Sequence, residues 1–226
     1  MRLHPLDRPV WNALHSGWSA LAVGGAHALR LDPEYGPFAA AIDASPVAQA
    51  ALSALTPPTG ELWIVEADSI ISPLGAPVLR TAQLIQMTAK SIATLDQTLD
   101  FAELAEPDAT DMRALASLTR PGPFEARTHA LGHFIGLRRE GRLVAMAGER
   151  MKLPGFTEVS GVCTHPDHRG KGHAGTLLRT VAQRIIDRGE TPFLHAYASN
   201  TGAIALYQAL GFTVRRDMHM LVLGFG

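Results

Sequence analysis

Residues 156–189 read FTEVSGVCT, HPDHRGKGHAG and TLLRTVAQRIIDRG in direct succession. The first piece is a short apolar run suited to a strand. The second is a loop holding Gly170, Gly172 and Gly175. The third places Leu177, Leu178, Val181, Ala182, Ile185 and Ile186 on one helical face and stops at Gly189. A strand that feeds a helix through a glycine turn must lay that helix back on its own sheet, which makes the chain α/β. The turn also leaves backbone N–H groups at the helix start without partners, so they are aimed at an anion, and the helix dipole adds to the attraction. Glycine is needed there because a Cβ would hold the anion away and because positive φ is expected.

The letters Gly170, Gly172 and Gly175 spell G-x-G-x-x-G, the fingerprint of dinucleotide-binding folds. That reading also demands an acidic residue closing the next strand, to bind ribose hydroxyls. The next strand, PFLHAYASN, ends in Ala198, Ser199 and Asn200, with no acid. The unit also lies late in the chain, behind a hairpin, instead of opening a βαβ domain. Nor does the spacing fit a P-loop, since Gly170-Lys171 is followed by Gly172 and not by Ser or Thr. The bound pyrophosphate stands as an expectation; NAD as its owner is the weaker reading, carried by the glycine match alone.

Around this unit the chain reads β-β-β-α-β-α-β. DATDMRALASLT is a short helix capped by Asp108 or Thr110 and stopped by RPGPF. HFIGLRREGRLVAMAGERM is a hairpin, TPFLHAYA a strand, and NTGAIALYQALG a helix from Asn200 to Gly211. FTVRRDMHMLVL supplies a last strand or hairpin. The first hundred residues carry no catalytic constellation. VWNALHSGWSALAV has helical spacing, PVAQAALSAL opens a helix at Ser45–Pro46, and ELWIVEA and APVLRTAQLIQM read as strands. Trp11, Trp18 and Trp63 are expected in the core, with a ligand pocket as the other reading.

VCTHPDHRGKGHAGTLL resembles the acyl-CoA signature of the GNAT (Gcn5-related) N-acetyltransferases, R/Q-x-x-G-x-G/A, at Arg169, Gly172 and Ala174. NTGAIALYQALGF is similar to the family's second hallmark, an Asn-initiated helix with a tyrosine that ends Leu-Gly-Phe. PGPF, AMAGERM and SGVCTHP further resemble the glycine N-acyltransferase-like branch. The likeness covers roughly residues 100–226. It implies a GNAT fold: a mixed central sheet with splayed parallel strands, flanked by helices. In that branch a smaller, degenerate GNAT-like lobe precedes the catalytic one, so residues 1–98 are assigned to it and 99–226 to the catalytic domain.

The resemblance also implies roles. Strands 157–164 and 191–198 would splay, with Gly161 forming the bulge that starts the gap. Val162, Cys163 and Thr164 would offer backbone groups to pantetheine. The amides of Gly170, Lys171, Gly172, His173, Ala174 and Gly175, with Arg169, would hold the pyrophosphate. Asn200 would cap its helix and touch pantetheine. The reaction is attack of a primary amine on acetyl-CoA, or another short acyl-CoA, in a ternary complex. An alkylamine has a pKa of about 10.4, so a proton must leave before it can attack, and the departing thiolate must gain one. Glu158 is the expected general base, directly or through water, with Glu149 as its competitor. Tyr207 is the expected acid, and the Cys163 backbone N–H the oxyanion donor. The alternative is a non-catalytic CoA- or nucleotide-binding regulatory module.

Cys163 has no positive group or oriented base beside it in the sequence, which speaks against a covalent acyl-enzyme. His165, His168 and His173 span a loop and a helix start, not one helix face, so no metal is expected. The acceptor, a small molecule or a peptide amine, would be selected around residues 108–128 and 151–157, with Phe124, Phe134 and Phe156 as an apolar wall. Twenty basic and 21 acidic side chains in 226 residues leave no field to hold nucleic acid. No apolar run is long enough to span a bilayer, and MRLHPLDRPVWNALHS has no signal-peptide core. A cytoplasmic protein without membrane partners is expected, and a homodimer is left open.

Overall fold

The computed structural model describes residues 4–93 and 100–225. A 3-10 turn at Pro5–Asp7 leads into α1 (Pro9–Leu14), and three short strands follow: β1 (Ala22–Gly24), β2 (Ala28–Leu31) and β3 (Ala39–Ala41). The helical spacing read over residues 10–23 is thus realised only in its first half. Gly17 sits so close to Lys152 that a Cβ there would lie 2.6 Å from the Lys152 carbonyl oxygen. Tertiary packing has ended the helix. Next come α2 (Pro46–Ala54), whose N-cap Ser45 accepts from the Ala48 amide, then β4 (Gly60–Glu66) and β5 (Val78–Thr88).

Beyond residue 100 a short strand that was not expected, β6 (Ala102–Leu104), precedes the expected order: α3 (Ala109–Thr119), β7 (Phe134–Arg139), β8 (Arg142–Leu153) and β9 (Phe156–Thr164). Then α4 (His173–Asp187), β10 (Thr191–Tyr197), α5 (Thr201–Ala209) and β11 (Thr213–Phe225) complete the chain. The last segment is one strand of 13 residues, not a hairpin. Asp108 precedes α3, but its carboxylate takes the Ala105 amide and Arg138 instead of capping the helix.

Eight strands form one sheet in the order β4-β11-β5-β10-β9-β8-β7-β6, and β1–β3 form a separate sheet of three. Among the described strands of the main sheet only β9 and β10 run parallel; the other pairs are antiparallel. This corrects the division into two lobes. The boundary expected at 98/99 itself lies outside the described residues, yet β4 and β5, from before it, pair with β11 and β10 from after it. β4 and β5 complete the main sheet, while β1–β3 form the small one beside them in the chain.

The helix α4 covers one face of that sheet. Leu177, Leu178, Val181, Ala182 and Ile185 are buried against Ile135, Val144, Ala145, Val159 and Leu194. Each such Leu, Ile or Val stabilises the fold by about 1.5–3 kcal/mol when fully buried. On the other face, Leu6, Val10 and Trp18 pack with Phe38, Val65, Met151 and Met220. The active-site elements are therefore clamped from both sides. Among the described residues no helix is long and apolar enough to cross a membrane.

Candidate active site

The parallel pair β9/β10 holds for three residues only: Phe156 opposite Thr191, Thr157 opposite Pro192 and Glu158 opposite Phe193. Past that point the strands part. The opening starts where β9 carries an extra residue against β8. Gly148 faces Ser160 and Met146 faces Cys163, and Gly161 between them has φ +64°. A bulge at a left-handed glycine bends the strand away from its neighbour, as the sequence reading expected of Gly161.

A cleft of about 730 Å³ occupies this gap and runs to the start of α4. Its lining brings together Val162, Cys163, Thr164, Arg169, Gly170, Lys171, Gly172, His173, Ala174, Gly175, Asn200 and Tyr207, residues the sequence reading had assigned to one site. Gly170 and Gly172 have φ +75° and +76°, a left-handed backbone that a side chain would strain. Gly172 is the N-cap of α4, and no side chain caps the 15-residue helix. The first amides of α4 are thus presented to the cleft. Two polar atoms of lining residues, Thr164 Oγ1 and His173 Nδ1, are buried without a hydrogen-bond partner. Burial, with Arg139, Lys171 and His168 nearby, lowers the His173 pKa, so the ring is a neutral hydrogen-bonding group. Free amides, orphaned polar atoms and glycines without Cβ fit an elongated, phosphate-bearing acyl donor such as acetyl-CoA.

Asn200 caps α5 through the Ala203 amide at 3.2 Å and still borders the cleft. Tyr207, about two helical turns further on, is half-buried, and burial raises its pKa above the ordinary phenol value. Cys163 is buried and its thiol is pushed up to about 11, which leaves it without the thiolate a covalent route needs. His165 is committed elsewhere: Nδ1 accepts the Asp167 amide at 3.3 Å, and Nε2 lies 2.8 Å from Arg142 Nη2.

A second, smaller pocket of about 160 Å³ shares Arg120, Pro121, Val162, Asn200 and Tyr207 with the cleft. Its far wall comes from the other half of the chain: Phe38, Trp63, Val65 and Leu84. The acceptor side expected around 108–128 and 151–157 is therefore only part of the site. Arg120 to Pro123 contribute, and so does Met151, but Phe134 and Phe156 do not line this pocket. Phe124 packs edge-on against Phe134 at 5.7 Å and belongs to the core. Trp18 is buried as expected, and Trp11 lines neither the cleft nor this pocket, whereas Trp63 lines the pocket. Nothing in the local sequence separates Trp63 from a core tryptophan; only the β4/β11 pairing puts it there.

Glu158 faces this side of the sheet, but its carboxylate is enclosed. Oε2 accepts from Arg150 Nε at 2.8 Å, and Oε1 accepts from Arg150 Nη2 at 3.1 Å and from His195 Nδ1 at 2.9 Å. Burial pushes the carboxyl up, yet the Arg150 charge and the hydrogen bonds from His195 and Arg150 overcome it and hold the pKa at about 2. Both carboxylate oxygens of Glu158 are thus taken up by protein donors. The side chains it holds, Arg150 and His195, are the ones that line the pocket.

The network continues inward. Arg215 Nε donates to Gln86 Oε1, which turns the Gln86 amide nitrogen toward Leu6 O and His195 Nε2, both at 2.9 Å. His195 Nε2 therefore accepts, and Nδ1 carries the proton given to Glu158. Glu149 is excluded as a competing base: it is buried on the α4 face, between Arg188 at 2.9 Å and Lys152 at 3.1 Å.

The FR47-like protein family model matches residues 134–221, the stretch from β7 into β11. The L-amino acid N-acyltransferase MnaT of Escherichia coli (strain K12) is 34% identical over 109 residues, which is 46% of this chain and 63% of that protein. The chain spans less than two thirds of the curated relatives it matches. Among solved structures, the GCN5-related N-acetyltransferase from Kribbella flavida shares the fold at a TM-score of 0.66 and 18% identity, over 96% of this chain and 95% of that one. A crystal structure from Novosphingobium aromaticivorans DSM 12444, described as a candidate acetyltransferase of the GNAT family, is similar in sequence as well. It is 47% identical with a TM-score of 0.92, over 99% of this chain and 100% of that chain. On that full-length likeness, the chain belongs to the GNAT family.

Proposed function

We propose that this chain transfers an acetyl group, or another short acyl group, from acyl-CoA to a primary amine by direct attack in a ternary complex. The observation that carries the reading is the parting of β9 from β10 beyond Glu158, with Tyr207 lining both the cleft and the smaller pocket. Acyl donor and amine would meet at that shared wall. The amine nitrogen forms a bond to the thioester carbonyl carbon, and the carbon–sulfur bond breaks.

Tyr207 gives its phenolic proton to the departing thiolate. The amine's proton leaves to water, because no carboxylate lines the pocket among the described residues. Glu158 acts as a positioning residue: it fixes Arg150 and His195, which do face the pocket. The likeness to the glycine N-acyltransferase-like branch rests on PGPF, AMAGERM and SGVCTHP, and it fits a small-molecule acceptor.

The test is acetyl-CoA binding by calorimetry, paired with release of free CoA over a panel of primary amines. Micromolar-range binding with amine-dependent release is expected. Binding without release from any amine would favour a CoA-sensing module instead, and absence of binding would end the reading altogether.

A further inference from the structure

The smaller pocket carries an unusual balance of charge for a site that takes amines. Two guanidinium side chains line it, Arg120 and Arg150, and not one carboxylate does among the described residues. Glu158 lies behind Arg150 and is occupied by it, through Nε and Nη2. Those bonds leave the Arg150 Nη1 edge, which lies 3.9 Å from where a Cβ on Gly122 would sit, at the pocket wall. Arg120 closes α3 in a left-handed conformation, φ +52°, which is uncommon for a residue with a Cβ. Its side chain is exposed and has no carboxylate partner among the described residues.

Such a lining repels a polycation and attracts an amine that carries its own negative charge. The remaining walls are apolar and aromatic: Phe38, Trp63, Val65, Leu84 and Met220. These side chains are held in place. Arg150 stacks over Phe38 at 4.7 Å, and Trp63 is fixed between Arg80 at 4.9 Å and the Glu61 carboxylate at 2.7 Å from its Nε1. About 160 Å³ accommodates a group the size of a benzene ring, since an engineered cavity of about 150 Å³ does so.

Building on the acyl-transfer reading, we propose that the acceptor is a free α-amino acid with an apolar or aromatic side chain. Its carboxylate pairs with Arg120 and the free edge of Arg150, its side chain lies on Phe38 and Trp63, and its amine points to the wall shared with the acyl-donor cleft. A neighbouring groove of about 520 Å³ begins at Trp63 and Pro123 and is lined by Pro33, Pro37, Pro57 and Pro58. Past Trp63 this groove could take the rest of a peptide, so a peptide is the competing acceptor.

The test compares L-phenylalanine, L-methionine and L-leucine with their amides, with a short peptide bearing the same first residue, and with spermidine. The free acids are expected to exceed the amides in kcat/KM by at least about tenfold, since a charge-assisted pair is lost. Equal or faster turnover of amide, peptide or spermidine would overturn the proposal. Arg120→Asn, chosen because Asn tolerates the left-handed backbone, is expected to raise KM for L-phenylalanine about tenfold more than that for phenylalaninamide. A rise confined to the KM for acetyl-CoA would place Arg120 on the donor instead and overturn its assignment. Calorimetry of L-phenylalanine against phenylalaninamide with CoA present reads the carboxylate preference without turnover. No preference there refutes this inference, whereas absence of release from every amine refutes the acyl-transfer reading.

Discussion

Tyr207→Phe is expected to lower kcat for CoA release by roughly 100- to 10,000-fold, the range typical of a lost general acid, while acetyl-CoA binding stays close to that of the unaltered protein. The two readouts separate because the ring remains. Phe keeps the packing of Tyr207 beside Phe212, 6.4 Å away between ring centres, and removes only the hydroxyl. Tyr207 lines the donor cleft and the acceptor pocket alike, so its hydroxyl is the proton source of this reading. Burial raises its pKa above the ordinary value of about 10, so the proton is retained throughout the neutral range. The rate should therefore climb with pH as the amine loses its proton, with no falling limb below about pH 10. A Tyr207→Phe variant with unchanged kcat would remove the tyrosine from the chemistry, and a falling limb near neutrality would assign the acid to another group.

How much of this site can be read from the letters depends on how far apart in the chain its parts lie. The donor half is local. Strand, glycine turn and helix follow one another over 156–189, and Asn200 and Tyr207 sit on the next helix, so spacing alone brings them together. Glycines with positive φ are also visible in sequence, because few other residues take that conformation. The acceptor half is not local. Val65 and Leu84 reach the pocket only because β5 and β4 pair with β10 and β11, across more than a hundred residues. Alternating apolar residues in ELWIVEA announce a strand but not which sheet receives it. The division into two lobes failed for that reason.

The carboxylate at Glu158 shows the same limit within one strand. Its position, six residues before Thr164, marks it as a candidate base. What the sequence does not give is the neighbourhood: Arg150 across the β8/β9 hairpin and His195 on the parallel strand, two residues past the Glu158–Phe193 pair. Those two neighbours hold the carboxylate as a buried anion behind the pocket. Gln86 and Arg215 then fix the imidazole from behind, and Asp7 holds Arg215 at 2.6 Å. One chain of hydrogen bonds thus ties the N-terminal turn, Pro5–Asp7, to the acceptor wall, although that turn does not itself line the pocket.

Removing that anion should be felt first as stability. Glu158→Gln leaves Arg150, only 11% exposed along its side chain, without its counter-charge. Breaking a buried pair from one side costs about 3–5 kcal/mol, which in a chain of this length lowers Tm by roughly 10 °C. The acid response separates this effect from simple loss of packing. Glu158 has a folded pKa of about 2 against 4.5 unfolded, so the folded state favours the ionised form. A depressed carboxyl contributes stability that is fully present above the unfolded value and is lost as pH falls through the folded one. The contribution is on the order of 3 kcal/mol, and its window runs from about pH 5 down to pH 2. Urea unfolding of the unaltered protein at pH 6, 4 and 3 should show that decline. The Glu158→Gln variant should start lower and fall less across the same window, because no proton is taken up at position 158 on unfolding. Equal stability at pH 6, or a parallel decline in both proteins, would mean that Arg150 and His195 do not depend on this carboxylate. It would also return Glu158 to candidacy as the direct base.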